Sequence, residues 1–449
     1  MTAIFASNDR TNSHAGDVLD LAGIGIGPSN LSLAALLDSI GNVRAHFYEG
    51  RSQFDWHPGM MLPDVELQSS YLKDLVTPVM PTSRWSFIAY LVAHKRLYAF
   101  LNAHYEAVPR REFAQYLAWV ASQLRGLTFD AMVREVELEK DRFVLRLDKG
   151  AVAAKNIVIG TGTTPFVPAW ATPFLGDRCF HNSEAKWRLP TLNASRIAVI
   201  GGGQSGGEVV EALLNTKSTL KELNWFSRRH NFEPINDTAF SNQVFSPEYV
   251  YAYLNLNSDQ KLEALKASIL TSDGLSISTI NSIYRRLYSL RYLENRSIEA
   301  RLSPNRDVIQ VETDKDGYRL IVRNRFDGGV EVAHADAIVL STGYQFKLPD
   351  ALAGLQDRVQ FDRNNRPVLN DDYCLSWNGP KQNRIFAQNA GRNSHGIADS
   401  QLSLMAWRSA HIINTLFGHD HFDLEPHDSQ VNWLSSGRSL VGQSMAVDY

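Results

Sequence analysis

The chain reads as an α/β protein with two Rossmann-like dinucleotide-binding domains and a smaller, mainly helical insertion, and three observations lead there. First, two glycine-rich turns, Gly25-Ile26-Gly27-Pro28-Ser29-Asn30 and Gly201-Gly202-Gly203-Gln204-Ser205-Gly206, each leave an apolar strand and open a helix-like run. Second, each is followed by a further strand that ends in charge: Glu49 in one case, Ser227-Arg228-Arg229 in the other. Third, the βαβ rhythm lapses between Asn231 and Leu275, a stretch rich in Phe, Asn, Tyr and Asp that suits an insertion with short helices.

Taken in order, Thr2 to Gly16 is polar and rich in small residues, so residues 1–16 are expected to form a loose tail. Val18 to Ala22 is the first nucleotide strand, and the glycines after it permit the tight turn that aims backbone N–H groups at a pyrophosphate on a helix N-terminus. Asn30 replaces the third glycine of the fingerprint and asks for slightly looser packing of helix on strand. Ala45 to Glu49 closes the unit; its carboxylate accepts a hydrogen bond from a free ribose 2′-hydroxyl and repels a phosphate, which points to FAD. Arg196 to Ile200 and Leu223 to Phe226 repeat the arrangement, but Arg228 and Arg229 suit a 2′-phosphate, which guanidinium groups bind with charge-assisted forks. NADPH is therefore the second nucleotide. Asn156 to Ile159 runs into Gly160-Thr161-Gly162, and Ala337 to Leu340 runs into Ser341-Thr342-Gly343-Tyr344. These paired strand ends place small residues where backbone approaches a nucleotide. Helical spacing marks Leu262–Leu270 and Ile280–Leu293, and residues 300–334 read as an antiparallel meander with a Gly328-Gly329 turn. Turn-formers around Pro165, Pro168, Pro173 and Pro190 mark a domain crossing. The expected organisation is FAD-binding in 17–190 and 335–449, NADPH-binding in 191–230 and 286–334, and substrate-binding in 231–285.

With 449 residues, 44% apolar and 21% charged, the chain has ample material for a large core, and a net charge of −3 leaves no electrostatic footprint for nucleic acid or an anionic membrane. No apolar run approaches the roughly eighteen residues of a membrane span, and a secretory signal is missing, so a cytoplasmic protein is expected. Cys179 and Cys374 are too few for a redox pair or a zinc site. Neither His57 nor His395 has a partner at metal-ligand spacing, so no metal is expected.

Beyond these general features, the segments Trp56-His57-Pro58-Gly59-Met60, Leu67-Gln68-Ser69-Ser70-Tyr71-Leu72-Lys73-Asp74-Leu75-Val76, Phe240-Ser241-Asn242 and His395-Gly396 carry a resemblance over nearly the whole chain. They are similar to the N-hydroxylating flavin monooxygenases that make hydroxamate siderophore precursors, above all to lysine and aliphatic-diamine N-hydroxylases. Asp336 to Tyr344 resembles the family's D-x-x-x-L-A-T-G-Y signature with Ser341 in place of Ala. The resemblance implies that Trp56, His57, Gln68 and Ser403 lie against the flavin, that Lys73 and Asn242 face substrate or nicotinamide, and that the protein is a homo-oligomer, tetramer or dimer. Ornithine hydroxylases of the family carry an Asn-Tyr-Ser segment; the corresponding stretch here is Thr271-Ser272-Asp273-Gly274, the version of lysine hydroxylases. That argues against ornithine and leaves lysine, cadaverine and putrescine open. Lys73 suits a substrate carboxylate, Asp273 a distal ammonium.

The chemistry implied is hydride transfer from NADPH to FAD, reaction of reduced flavin with O2 to a C4a-hydroperoxide, and attack of a primary amine on its distal oxygen. The cofactors supply the reactivity, so no side chain is assigned as catalytic. A free alkylamine titrates near 10.4, so presenting it neutral at pH 7 costs roughly 4 to 5 kcal/mol, which burial partly offsets. Two other readings remain at this level: a flavin monooxygenase acting on another heteroatom or a carbonyl, and a non-enzymatic flavin- and NADPH-binding protein.

Overall fold

The computed structural model describes residues 18–294, 298–315, 317–426 and 429–435, so the expected tail at 1–16 lies outside the described residues. Leu19–Ile24 sits inside a seven-stranded sheet, parallel to Ala45–Tyr48 on one side and Ala151–Ile159 on the other, with Ile24 opposite both Tyr48 and Ile159. Its last four residues are buried, as a parallel strand covered on both faces requires. The antiparallel strands Val133–Glu139 and Arg142–Leu147 extend this sheet, and the short strand Ile385–Ala387 returns from late in the chain to pair with Ile157–Ile159. Helix Pro28–Ile40 lies against helix Met405–Phe417, so the first turn is framed by segments far apart in sequence.

A second, five-stranded parallel sheet has the order Glu299–Ser303, Glu222–Phe226, Arg196–Ile200, Ala337–Leu340, Cys179–His181. The meander is present as Arg306–Asp314, Gly317–Asn324 and Val330–Ala335. In the insertion, Ser258–Ala267 is a helix that starts at a capping box, Asn257 with Gln260, and is followed by the short helix Ile269–Asp273. Among the described residues no helix is long and apolar enough to cross a membrane. Both cysteines are buried, and burial pushes their thiols up to about 11 at Cys179 and about 12 at Cys374.

Three expected boundaries move. Cys179–His181, placed before 190 with the first domain, belongs to the second sheet, and so does Ala337–Leu340, placed after 335 with the first domain. All four residues of Ala337–Leu340 are buried, and the strand is paired along both edges, which satisfies its backbone as burial demands. The division at 285/286 falls inside helix Ile277–Tyr292, whose Ile283 and Leu290 pack with Val209, Val210 and Leu213 of helix Gln204–Thr216. That helix therefore packs on the second unit as one piece.

Candidate functional site

Both turns are built where a side chain does not fit. Gly25 has φ +87°, and a Cβ on it would stand 2.8 Å from the Gly160 carbonyl oxygen; Gly201 has φ +130°, and its Cβ would stand 2.0 Å from the Ser341 carbonyl. Each first glycine presses on the small-residue end of the neighbouring strand, so the paired strand ends read from sequence do wall the two turns. The helices beginning at Pro28 and Gln204 have no side-chain cap, which leaves N–H groups of the first turn for an anion. Pro28 at the first helical position gives up an N–H that the helix does not use. These cradles fit the pyrophosphates of two dinucleotides.

Asn30 does not loosen the packing. The room comes from the opposite side, where a Cβ on Gly160 would lie 2.2 Å from Asn30 Cγ. The Asn30 amide donates to the carbonyls of Gly25 (2.8 Å) and Ile24 (3.3 Å), and its carbonyl accepts from Gln388 (2.7 Å), which braces the turn. In the second turn the third glycine is needed: a Cβ on Gly206 would meet the Gly201 carbonyl at 2.1 Å, and the Trp225 indole donates to that same carbonyl at 2.8 Å.

Glu49 is buried at the end of its strand and accepts from the Ile26 N–H (3.0 Å) and from the Arg51 N–H and guanidinium (both 3.1 Å). Burial raises its pKa, but the hydrogen bonds from Arg51 and Ile26 outweigh that and hold the carboxyl below its ordinary range. An ionised acceptor is what a ribose hydroxyl needs. On the other side Arg228 is exposed, while Arg229 is half-buried, with its N–H on Ser227 Oγ (3.2 Å) and its guanidinium on the Asp273 carbonyl (2.6 Å).

Between the two turns lies a cavity of about 2250 Å³. A pocket for one small ligand measures roughly 300–1,000 Å³, so this space suits two dinucleotides. Its wall includes Gly25, Gly27, Pro28, Ser29, Glu49, Trp56, His57 and Gln68 from one side, with Gly201, Gly203, Gln204, Ser205, Ser227, Arg228, Arg229, Thr342, Gly343 and Tyr344 from the other. His57 adopts a left-handed backbone (φ +46°) and stands 6.3 Å from the Tyr344 ring, centroid to centroid, across the junction. His57 is exposed to the cavity, while the protein packed around it, helped by the Arg110 charge, pushes its pKa down to about 4. Ser403 is buried in a short turn; Asn389, Ala390 and Ser400 form the wall there instead.

The expected substrate residues separate into two places. Lys73 Nζ lies 5.9 Å from the centre of the Phe245 ring, and Asp237, whose charge acts on Lys73, accepts a hydrogen bond from Asn242 (2.6 Å). Burial lowers the Lys73 pKa and Asp237 opposes that shift. Among the described residues no carboxylate forms an ion pair with Lys73. Asp273 sits apart from this group: its carboxylate pairs with Arg392 at 2.9 Å, and its carbonyl holds Arg229.

Two contributors escape the sequence reading. Arg408 is fully buried, ion-paired with Asp399 at 2.8 Å, and donates to Ser29 Oγ at 3.2 Å in the first turn. A lone arginine in the apolar run Met405–Phe417 was its signal, because a buried charge must be paired. Arg51, two residues beyond Glu49, holds that carboxylate in place.

The family described as L-lysine 6-monooxygenase/L-ornithine 5-monooxygenase matches residues 17–346. L-lysine N6-monooxygenase of Escherichia coli is 39% identical over 93% of this chain and 99% of its own length. Among solved structures, the FAD-bound cadaverine monooxygenase DfoA of Erwinia amylovora superposes with a TM-score of 0.88 at 26% identity, covering 94% of this chain and all of that one. The ornithine N-hydroxylase KtzI of Kutzneria sp. 744, solved with reduced FAD, NADP+ and L-ornithine, gives a TM-score of 0.83 at 28% identity, covering 90% of this chain and 99% of that one.

Proposed function

This chain belongs to the L-lysine 6-monooxygenase/L-ornithine 5-monooxygenase family, and within it we propose that the amine it hydroxylates is L-lysine, at the terminal nitrogen. At the level of the family the activity is NADPH-dependent flavin N-hydroxylation of lysine or a diamine for hydroxamate siderophore biosynthesis. FAD, reduced by NADPH, supplies the activation of O2. The chain's own residues bind, orient and keep water away. The glycine turns hold the two pyrophosphates, Glu49 takes the FAD ribose, Arg228 and Arg229 take the 2′-phosphate, and the walls around Trp56, His57 and Tyr344 close on the reacting region.

One observation carries the choice of lysine. Lys73 is a half-buried cation near the Phe245 ring, acted on by the charge of Asp237 but with no ion-pair partner among the described residues, and so suits a carboxylate. A diamine offers it none. Asp273, the residue that favours a diamine, is already neutralised by Arg392. The 39% identity to the lysine enzyme of Escherichia coli agrees with this choice. Product analysis with lysine, cadaverine, putrescine and ornithine tests the reading: N-hydroxylysine should account for most of the NADPH consumed, and better coupling with cadaverine or putrescine overturns it.

A further inference from the structure

Where the two nucleotide units meet, one ion pair is largely buried. Arg110 is the first residue of helix Arg110–Gln123 in the first unit, and Glu208 lies on helix Gln204–Thr216 in the second. Nη2 is 2.6 Å from Oε1 and Nη1 is 3.1 Å from Oε2, with side chains 13% and 2% exposed. The same guanidinium donates to the carbonyls of Met60 (3.1 Å) and Glu66 (3.3 Å), which hold it in place.

On the far side the connection runs into the second turn. Glu208 Oε1 accepts from the Gln204 amide at 3.1 Å; the Gln204 amide also donates to Thr279 Oγ1 at 3.1 Å, and its carbonyl accepts from the Ser276 N–H at 2.7 Å. Gln204 lines the cavity. A continuous chain of polar contacts therefore links the first unit to the phosphate turn of the second. The pair is also felt within the site, since the Arg110 charge acts on both His57 and Tyr344.

A two-pronged guanidinium–carboxylate contact fixes both distance and angle, whereas an apolar contact of similar size allows sliding. Buried ion pairs are poor sources of stability, and apolar replacements of similar volume are often as stable or more so. Their worth lies in arrangement. We propose that the Arg110–Glu208 fork is a positioning device that sets the angle at which the second nucleotide turn faces the flavin, and with it the geometry of hydride transfer. The inference rests on the two-cofactor reading and not on which amine is used.

Two variants of the flavoenzyme test it: Arg110→Met/Glu208→Leu, which replaces the pair by apolar groups, and Arg110→Lys, which keeps the charge but loses the fork. Neither readout needs an amine. Anaerobic FAD reduction by NADPH is expected to slow about ten-fold or more in the double variant and several-fold in Arg110→Lys, with the NADPH KM changing less than the rate. Reduction by dithionite should stay as in the parent. Small-angle X-ray scattering without NADPH should show a broader distance distribution for the double variant, at a melting temperature close to the parent's. Parent-like reduction by NADPH together with parent-like scattering overturns the proposal. Should the double variant fail to fold, Arg110→Lys decides by itself, and a parent-like reduction rate in it overturns the proposal.

Discussion

Replacing Lys73 by Met removes the one charge that separates lysine from a diamine in the proposed site while keeping most of the side chain's volume against Phe245. Two unit charges about 4 Å apart attract by about 4 kcal/mol at an effective dielectric of about 20, and desolvation and ordering consume part of that. Hydrogen bonds to charged groups contribute about 1.5–3 kcal/mol net. Taking about 2–3 kcal/mol, kcat/KM for lysine should fall about 30- to 150-fold, mostly through KM, because the carboxylate is held alike in ground and transition states. Cadaverine has no carboxylate, and its kcat/KM should change by less than about three-fold. The assay measures hydroxylamine product and NADPH consumption side by side for both amines, with anaerobic flavin reduction as a control for the cofactor sites. Equal losses for lysine and cadaverine would refute the pairing, and a slower flavin reduction would assign Lys73 to the nicotinamide instead.

Arg228→Ala combined with Arg229→Ala should raise KM for NADPH far more than for NADH, by about ten-fold or more, because only NADPH carries the 2′-phosphate; steady-state kinetics with both nucleotides checks this, and equal effects sink the assignment. Gly160→Ala drives a Cβ to within 2.2 Å of Asn30 Cγ, and overpacking of this kind costs about 1–3 kcal/mol. The variant should melt lower and purify with less bound FAD, measured by the ratio of flavin to protein absorbance. Burial pushes His395 down from 6.5 to about 4, and His181 likewise. As pH falls below about 6.5 the unfolded chain takes up these protons first, so stability is full above that value and lost towards pH 4. At pH 5 the loss is about 2 kcal/mol for each ring. Urea unfolding at pH 7 and pH 5 measures it, and identical midpoints contradict the burial of these imidazoles in neutral form.

Read from sequence alone, this protein already carries its two nucleotide turns, the opposite charges that close their strands, the meander and the helices of the insertion. All of these are local: a glycine's conformational freedom, the period of an apolar run and a charge at a strand end act within a few residues of themselves. What tertiary structure decided are the pairs that only sheet closure brings together. Asn30 fits because Gly160, on another strand, leaves room for it, and Ser29 is held by Arg408 from the far end of the chain. Cys179–His181 and Ala337–Leu340 leave their neighbours in sequence to complete the second sheet, where Ala337–Leu340, buried along its whole length, is paired on both edges. Asp273 carries a charge that suits an amine, yet Arg392, 119 residues on, neutralises it, and Lys73 keeps its charge without an ion-pair partner among the described residues. A charge is visible in sequence, but its partner depends on which distant backbone comes within about 4 Å of it, and that distance exists only once the chain has folded.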